Sequence, residues 1–265
     1  MIGDMKPFRV EETKLNLEKI IQDESKEKFI VYAHRGASEY TPENTFLAFN
    51  TAIYMGANGI ETDVQKTKDN VLVLFHDDTL ERVTGEKGSI SDYTFEQLQN
   101  FFVRKDNFVD KIVKLEDFLK YFSFRNITFA IELKQKELEK DVIELIRKYH
   151  IENKTVVTSF NFENIKKVKE LAPDLRVGYL CKNVTDDVLE RLKEIEADEI
   201  CPHSSEVNKE NVFKWHQAGF NVRAWGVSDE NSMKNVYDCH ADGVTVNFPD
   251  KLVKYIESKR GSIKP

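Results

Sequence analysis

Short apolar, β-rich runs recur along this chain at residues 29–33, 59–64, 127–133, 155–159, 175–180, 198–202, 221–225 and 243–247. Amphipathic helical patterns separate them, at 44–55, 138–149, 162–171, 185–194, 208–217, 229–238 and 249–258. In the second half the strand ends return roughly every 20–25 residues, the spacing of one βα unit. Eight parallel strands joined by right-handed helical crossovers predict a closed (β/α)8 TIM barrel, which places its active site at the C-terminal strand ends. An open, doubly wound sheet is the alternative. It fits less well because the glycine-rich phosphate loop it needs is missing. Asn161, Thr185, Asn208 and Ser228 are expected helix N-caps, and Gly219 sits where a C-terminal cap belongs.

One segment breaks the alternation. Val71-Leu72-Val73-Leu74-Phe75 is strand-like, yet only Lys68-Asp69-Asn70 separates it from the run ending near Thr67. A parallel neighbour needs a crossover of a dozen residues or more. The second strand is therefore expected to run past its barrel section, turn at Asp69-Asn70 and return as an antiparallel hairpin. That turn would carry His76 back towards Glu61 and Asp63. Residues 79–114 read as a small excursion, with loops at Gly85, Gly88 and Ser89 and a short helix from Thr94. A further helix starts at Leu115. The first 28 residues form an extension whose segment 11–23, with Leu15, Leu17, Ile20 and Ile21 among charges, predicts an amphipathic helix lying as a lid over the barrel. The whole chain, 1–265, reads as one domain.

Net charge of −7 argues against a nucleic-acid surface or a basic membrane-docking face. It leaves an anionic substrate open, because a local cluster of Arg, Lys and metal reverses the field inside a pocket. Cys181, Cys201 and Cys239 have no CxxC spacing and read as reduced thiols. No apolar run approaches the ~18 residues of a membrane span, and no secretory h-region is present. A cytoplasmic protein without stable membrane insertion is the expectation.

The chemistry-bearing residues gather at strand ends. Phe29-Ile30-Val31-Tyr32-Ala33 stops at His34-Arg35-Gly36. Glu61 and Asp63, two apart on a strand, share a face, and two carboxylates side by side are normally reconciled by a divalent cation. Glu132 repeats the placement on the next barrel strand and offers a third oxygen, with Lys134 two residues on. Three carboxylates without a Cys or His cluster favour Mg²⁺ or Ca²⁺ over zinc. A plain salt bridge from Glu132 to Lys134 or Arg35, with no metal, is the competing account. His34 and His76 are candidates for acid and base because imidazole titrates near neutrality. Arg35 presents a planar fork to phosphate oxygens. Phe160 and Trp225 end strands on the same rim and suit an apolar part of a substrate, with filling of the barrel core as the alternative. His203 also ends a strand; His150, His216 and His240 fall in or beside helices and are assigned to the surface.

Taken together, HRG (34–36), PENT (42–45), E-x-D (61–63), TKDN leading to HD (76–77), E-x-K (132–134), SF (159–160), Trp225 and ADGVTVNFPD (241–250) resemble the glycerophosphodiester phosphodiesterases, whose fold is shared with phosphatidylinositol-specific phospholipases C. The resemblance implies metal-dependent hydrolysis of a glycerophosphodiester to sn-glycerol 3-phosphate and an alcohol. By the same resemblance, Glu61, Asp63 and Glu132 would bind the cation, His34 and His76 would be the acid–base pair, and Arg35 and Lys134 would bind phosphate. A lysophospholipase D, a cyclising phospholipase and a non-catalytic phosphodiester-binding module are the other functions such a site allows. Two departures bear on the alcohol side: Gly226 stands where Thr usually follows the strand-end Trp, and Thr62 stands where Leu is common. The extension before Phe29 is longer than in short bacterial members.

Overall fold

The computed structural model describes residues 29–261, so the predicted lid helix at 11–23 and the rest of the extension lie outside the described residues. Eight parallel strands close into the expected barrel: β1 (Ile30–His34), β2 (Gly59–Lys66), β6 (Thr128–Leu133), β7 (Thr155–Ser159), β8 (Arg176–Cys181), β9 (Glu199–Pro202), β10 (Asn221–Ala224) and β11 (Gly243–Val246). Closure is made by β1, which pairs in parallel with both β11 and β2. Helices cover the outside, and their apolar stripes meet the strands in one continuous core that includes Phe49, Phe118, Phe129, Ile131, Val157, Ile200, Val222 and Val244. Parallel strands buried on both faces read as unbroken apolar runs, which is why all eight are visible in the sequence.

The hairpin forms as expected. β3 (Leu72–Leu74) returns antiparallel to β2, with Val64 opposite Leu74 and Lys66 opposite Leu72. Asn70 takes a left-handed conformation (φ 62°) at the turn, which asparagine tolerates better than most residues. Thr67 braces the turn, donating to Asp69 at 2.6 Å and accepting from the Val71 amide at 2.9 Å. The 79–114 excursion has its own small core, in which Val73, Phe75, Leu80, Val83, Ile90, Leu98, Val103 and Ile112 pack together.

Two details differ from the sequence expectation. The excursion contains an unforeseen hairpin, β4 (Val103–Lys105) with β5 (Phe108–Asp110). Its three-residue strands are largely exposed and too short to show an apolar period. The helix Glu230–Asp238 is capped by Asp229, not Ser228, because Asp229 accepts from the Ser232 amide and Ser232 reaches back in a capping box. Asn161, Thr185 and Asn208 cap as expected, and Gly219 (φ 98°) follows the helix Lys209–Gln217.

Candidate active site

The end of β1 turns sharply because Arg35 (φ 56°) and Gly36 (φ 84°) are both left-handed. Gly36 admits no side chain: a Cβ there would lie 2.5 Å from the backbone carbon of Ala48. The turn aims the Arg35 amide at Glu61, where it donates to the backbone oxygen at 3.0 Å and to Oε2 at 3.1 Å. It also brings the Arg35 guanidinium between Glu43, at 2.9 Å, and Asp63, at 3.2 Å. The second approach is an ion pair without hydrogen-bond alignment, since Arg35 Nε has no hydrogen-bond partner.

Register then assembles the acids. On β2, Glu61 lies opposite His34 of β1, and Asp63 lies opposite Glu132 of β6. Oxygens of Glu61, Asp63 and Glu132 all come within 4.8 Å of one another. Burial pushes Glu61 well above the usual carboxylate range, and repulsion from Asp63 and Glu132 adds to it. Burial and Asp63 likewise push Glu132 up to about 7. Asp63 goes the other way: burial works to raise it, but Arg35 and Lys134 outweigh that and hold it below the ordinary range. The three therefore resist carrying their charges together. Asp63 Oδ1 is buried and has no hydrogen-bond partner, while Asp63 Oδ2 accepts from the Asn44 side chain at 2.9 Å. An oxygen-only cage with mutual repulsion and an orphaned lone pair fits a hard divalent cation. The salt-bridge arrangement is present as well: Lys134 Nζ lies 2.9 Å from Glu132 and 3.6 Å from Asp63. Lys134 is thus spent on the acids and is not among the residues lining the cavity.

The cavity at the barrel mouth, about 380 Å³, is lined by His34, Arg35, Glu61, His76, Glu132, Phe160 and Trp225, among others. Both candidate histidines face it. His34 Nδ1 is 2.6 Å from Asn247 Oδ1, and its Nε2 is 3.9 Å from Glu61. Burial first, and the Arg35 charge second, lower His34 to about 4. His76 arrives with the hairpin, where the Phe75 amide bonds the Asp63 carbonyl at 3.0 Å. Gln65 holds the following loop by donating to the carbonyls of Phe75 and Asp77. His76 Nδ1 is 2.6 Å from Asp77 Oδ1.

The far wall is aromatic. Phe160, 43 % exposed, meets Trp225 edge-on at 4.8 Å, and Trp225 Nε1 donates to the carbonyls of Cys201 and Cys181. His203 packs against Trp225 at 4.9 Å and is not among the lining residues. His150 and His216 are exposed and His240 is half-buried. Asn247, Gln65 and Arg223 are given no role by the sequence reading, and Asn44 enters it only within the PENT (42–45) motif. Arg223 reaches the cavity floor from inside the barrel, bonded to Glu199, Thr245 and Cys201. Its signal was available: it lies two residues before Trp225, so extended backbone turns both side chains to the same side.

The family model described as the glycerophosphoryl diester phosphodiesterase family matches residues 34–251. A glycerophosphodiester phosphodiesterase of Bacillus altitudinis is 33% identical over 244 residues, covering 87% of this chain and 99% of the relative. One from Caldanaerobacter subterraneus is 29% identical over 238 residues, with coverage of 86% and 98%. An Oleispira antarctica phosphodiesterase, solved in complex with sn-glycerol-3-phosphate, superposes with a TM-score of 0.78 at 26% identity, covering 86% of this chain and 96% of that one. Among the described residues, no helix is long and apolar enough to cross a membrane.

Proposed function

Because the chain belongs to the glycerophosphoryl diester phosphodiesterase family, we propose that it hydrolyses glycerophosphodiesters to sn-glycerol 3-phosphate and an alcohol, with His34 and His76 as the acid–base pair. The observation that carries this reading is that both imidazoles line one cavity together with Glu61 and Glu132. Asn247 Oδ1 also accepts from Ser38 Oγ at 3.1 Å, so the hydrogen on the 2.6 Å contact belongs to His34 Nδ1. Nε2 of a ring that is neutral at pH 7 then keeps its lone pair for the nucleophile. His34 is therefore the base.

His76 is the acid. Its Nδ1 rests on a carboxylate that stays ionised, since hydrogen bonds from Arg82 and His76 overcome the opposing effect of burial and hold Asp77 at about 2. As the new P–O bond forms, the nucleophile's proton passes to His34 Nε2. As the alcohol's P–O bond breaks, its oxygen takes a proton from His76 Nε2. Water can attack directly, or the adjacent glycerol hydroxyl can attack first; the cyclic phosphate formed that way is then opened by water with the two roles reversed.

Glu61, Asp63 and Glu132 would hold one Mg²⁺ or Ca²⁺, which when bound supplies positive charge against the phosphoryl oxygens. Arg35 faces the same cavity and adds a fixed guanidinium. Lys134 acts on phosphate through the field it shares with the acids. Phe160 and Trp225 would flank the alcohol. The product named for the Oleispira antarctica complex, sn-glycerol-3-phosphate, supports this substrate class. The test is to incubate the protein with glycerophosphocholine, glycerophosphoethanolamine and a lysophospholipid, with Mg²⁺, with Ca²⁺ and with EDTA, following products by phosphorus NMR. Release of sn-glycerol 3-phosphate that EDTA abolishes is expected. Lysophosphatidic acid from the lysophospholipid alone would move the substrate class, and no turnover in any condition would overturn the reading.

A further inference from the structure

Among the described residues a second group of ligating atoms draws within 4.8 Å of one another: Glu43, His76 and Asp77. In the acid trio, Arg35 and Lys134 leave Asp63 Oδ1 without a hydrogen bond; this second cage is instead closed by one arginine. Arg82, from the short helix Glu81–Thr84, sends Nε to Asp77 at 2.5 Å and Nη2 to the other Asp77 oxygen at 3.0 Å. The same guanidinium donates from Nη1 and Nη2 to the two oxygens of Glu43 at 2.8 and 2.6 Å. Both carboxylates are thus gripped bidentately by one planar fork, which a lysine ammonium cannot do.

Each carboxylate has a second task. Asp77 Oδ1 meets His76 Nδ1 at 2.6 Å, and Glu43 Oε1 accepts from Arg35 Nη1 at 2.9 Å. Arg82 therefore joins the loop bearing His76 to the turn bearing Arg35, two segments 39 residues apart at the Arg82–Glu43 contact. Without it, Glu43 and Asp77 would repel each other beside the imidazole, and Asp77 would be free to leave the ring or to recruit an ion of its own.

We propose that Arg82 is a positioning residue that stands as a built-in cation in this second cage, locking Asp77 onto His76 and Glu43 onto Arg35 and keeping the centre to a single metal ion. The inference rests on the reading of His76 as a catalytic group.

The test uses the full chain with Arg82→Ala and Arg82→Lys, assayed on glycerophosphocholine with and without millimolar guanidinium ion. Arg82→Ala is expected to lower kcat about 10²-fold with little change in KM, as a displaced catalytic ring does. Free guanidinium should recover about tenfold of that loss in Arg82→Ala and leave the wild type unchanged, while Arg82→Lys stays impaired. Bound metal per chain, counted by elemental analysis, should rise from one towards two in Arg82→Ala. A folded Arg82→Ala with wild-type kcat would overturn the proposal. So would a loss of activity that guanidinium does not relieve at an unchanged metal count, which is what a purely structural arginine gives. If Arg82→Ala does not fold, Arg82→Gln carries the same comparison. A wild type without diesterase activity defeats the functional reading itself; an active wild type with an indifferent Arg82→Ala defeats only this inference.

Discussion

Asn247 holds His34 from across the barrel seam: the amide oxygen just beyond β11 is 2.6 Å from the imidazole nitrogen that ends β1. The amide fixes the ring's tautomer and leaves Nε2 directed to the cavity side, near Glu61. Asn247→Ala should therefore lower kcat by about tenfold or more while KM changes little. Asn247→Asp keeps an acceptor but adds a negative charge, so it should move the acidic limb of the kcat/KM profile to higher pH. Steady-state kinetics from pH 5 to 9 read both effects. An unchanged kcat in Asn247→Ala would remove the residue from the mechanism.

Asn44 carries a different load. It is buried and left-handed (φ 57°). Its amide donates to Asp63 at 2.9 Å while its side-chain oxygen accepts from Thr62 at 2.7 Å. Asn44→Ala would strand two buried polar groups and place a poorly suited residue in left-handed backbone. A loss of about 2–4 kcal/mol is expected in chemical denaturation. Asn44→Gly, which relieves the backbone but not the hydrogen bonds, should lose about 1 kcal/mol less. Equal losses in the two variants would mean that the backbone is unstrained.

The barrel and the gathering of acids and imidazoles were legible for a local reason. A period of two on a strand puts Glu61 and Asp63 on one face, and a three-residue gap before Val71 forces a hairpin that returns His76. Asn247, Arg82 and Arg223 were harder to find because their partners lie 213, 39 and 24 residues away in sequence, at His34, Glu43 and Glu199. No periodicity encodes such pairings: closure of the barrel makes the first, the return of the excursion to the turn after β1 the second, and the alignment of β9 with β10 the third. Lys134 is a subtler case. Its spacing from Glu132 allowed an anion site or a salt bridge, and the structure contains the salt bridge.

Gly226 and His203 are mutually dependent. Gly226 is left-handed (φ 71°), and a Cβ on it would lie 2.4 Å from the His203 ring. That ring in turn packs against Trp225. Gly226→Ala should destabilise by about 1–3 kcal/mol through strain and overlap. His203→Ala should remove the overlap, so the double variant should be more stable than the two single losses predict. Thermal melts of the four proteins complete the cycle, and simple additivity would show that the two positions do not interact.

Glu61 and Glu132 make stability depend on pH in a direction opposite to that of an ion-paired carboxylate such as Asp63. Glu132 is raised from 4.5 to about 7, and Glu61 is raised as well. The folded state thus holds protons that the unfolded state has released, so their contribution is complete below pH 4.5 and is lost as pH rises through the folded values. His34, lowered from 6.5 to about 4, acts the other way, since the unfolded chain binds the extra proton between those values. Above pH 6.5 only the tail of the histidine contribution is still to be gained, and the loss from the carboxylates outweighs it. In EDTA the melting temperature should therefore fall from pH 6.5 to 8, by roughly 2–4 °C for each kcal/mol lost. Saturating Mg²⁺ or Ca²⁺ should reverse that slope, because ionised carboxylates bind the cation more tightly. Glu132→Gln should raise the melting temperature in EDTA at pH 8 and weaken the response to added cation. A metal-free protein whose stability climbs steadily from pH 6.5 to 8 would show that the three acids are not in conflict, and the case for a cation between them would fail.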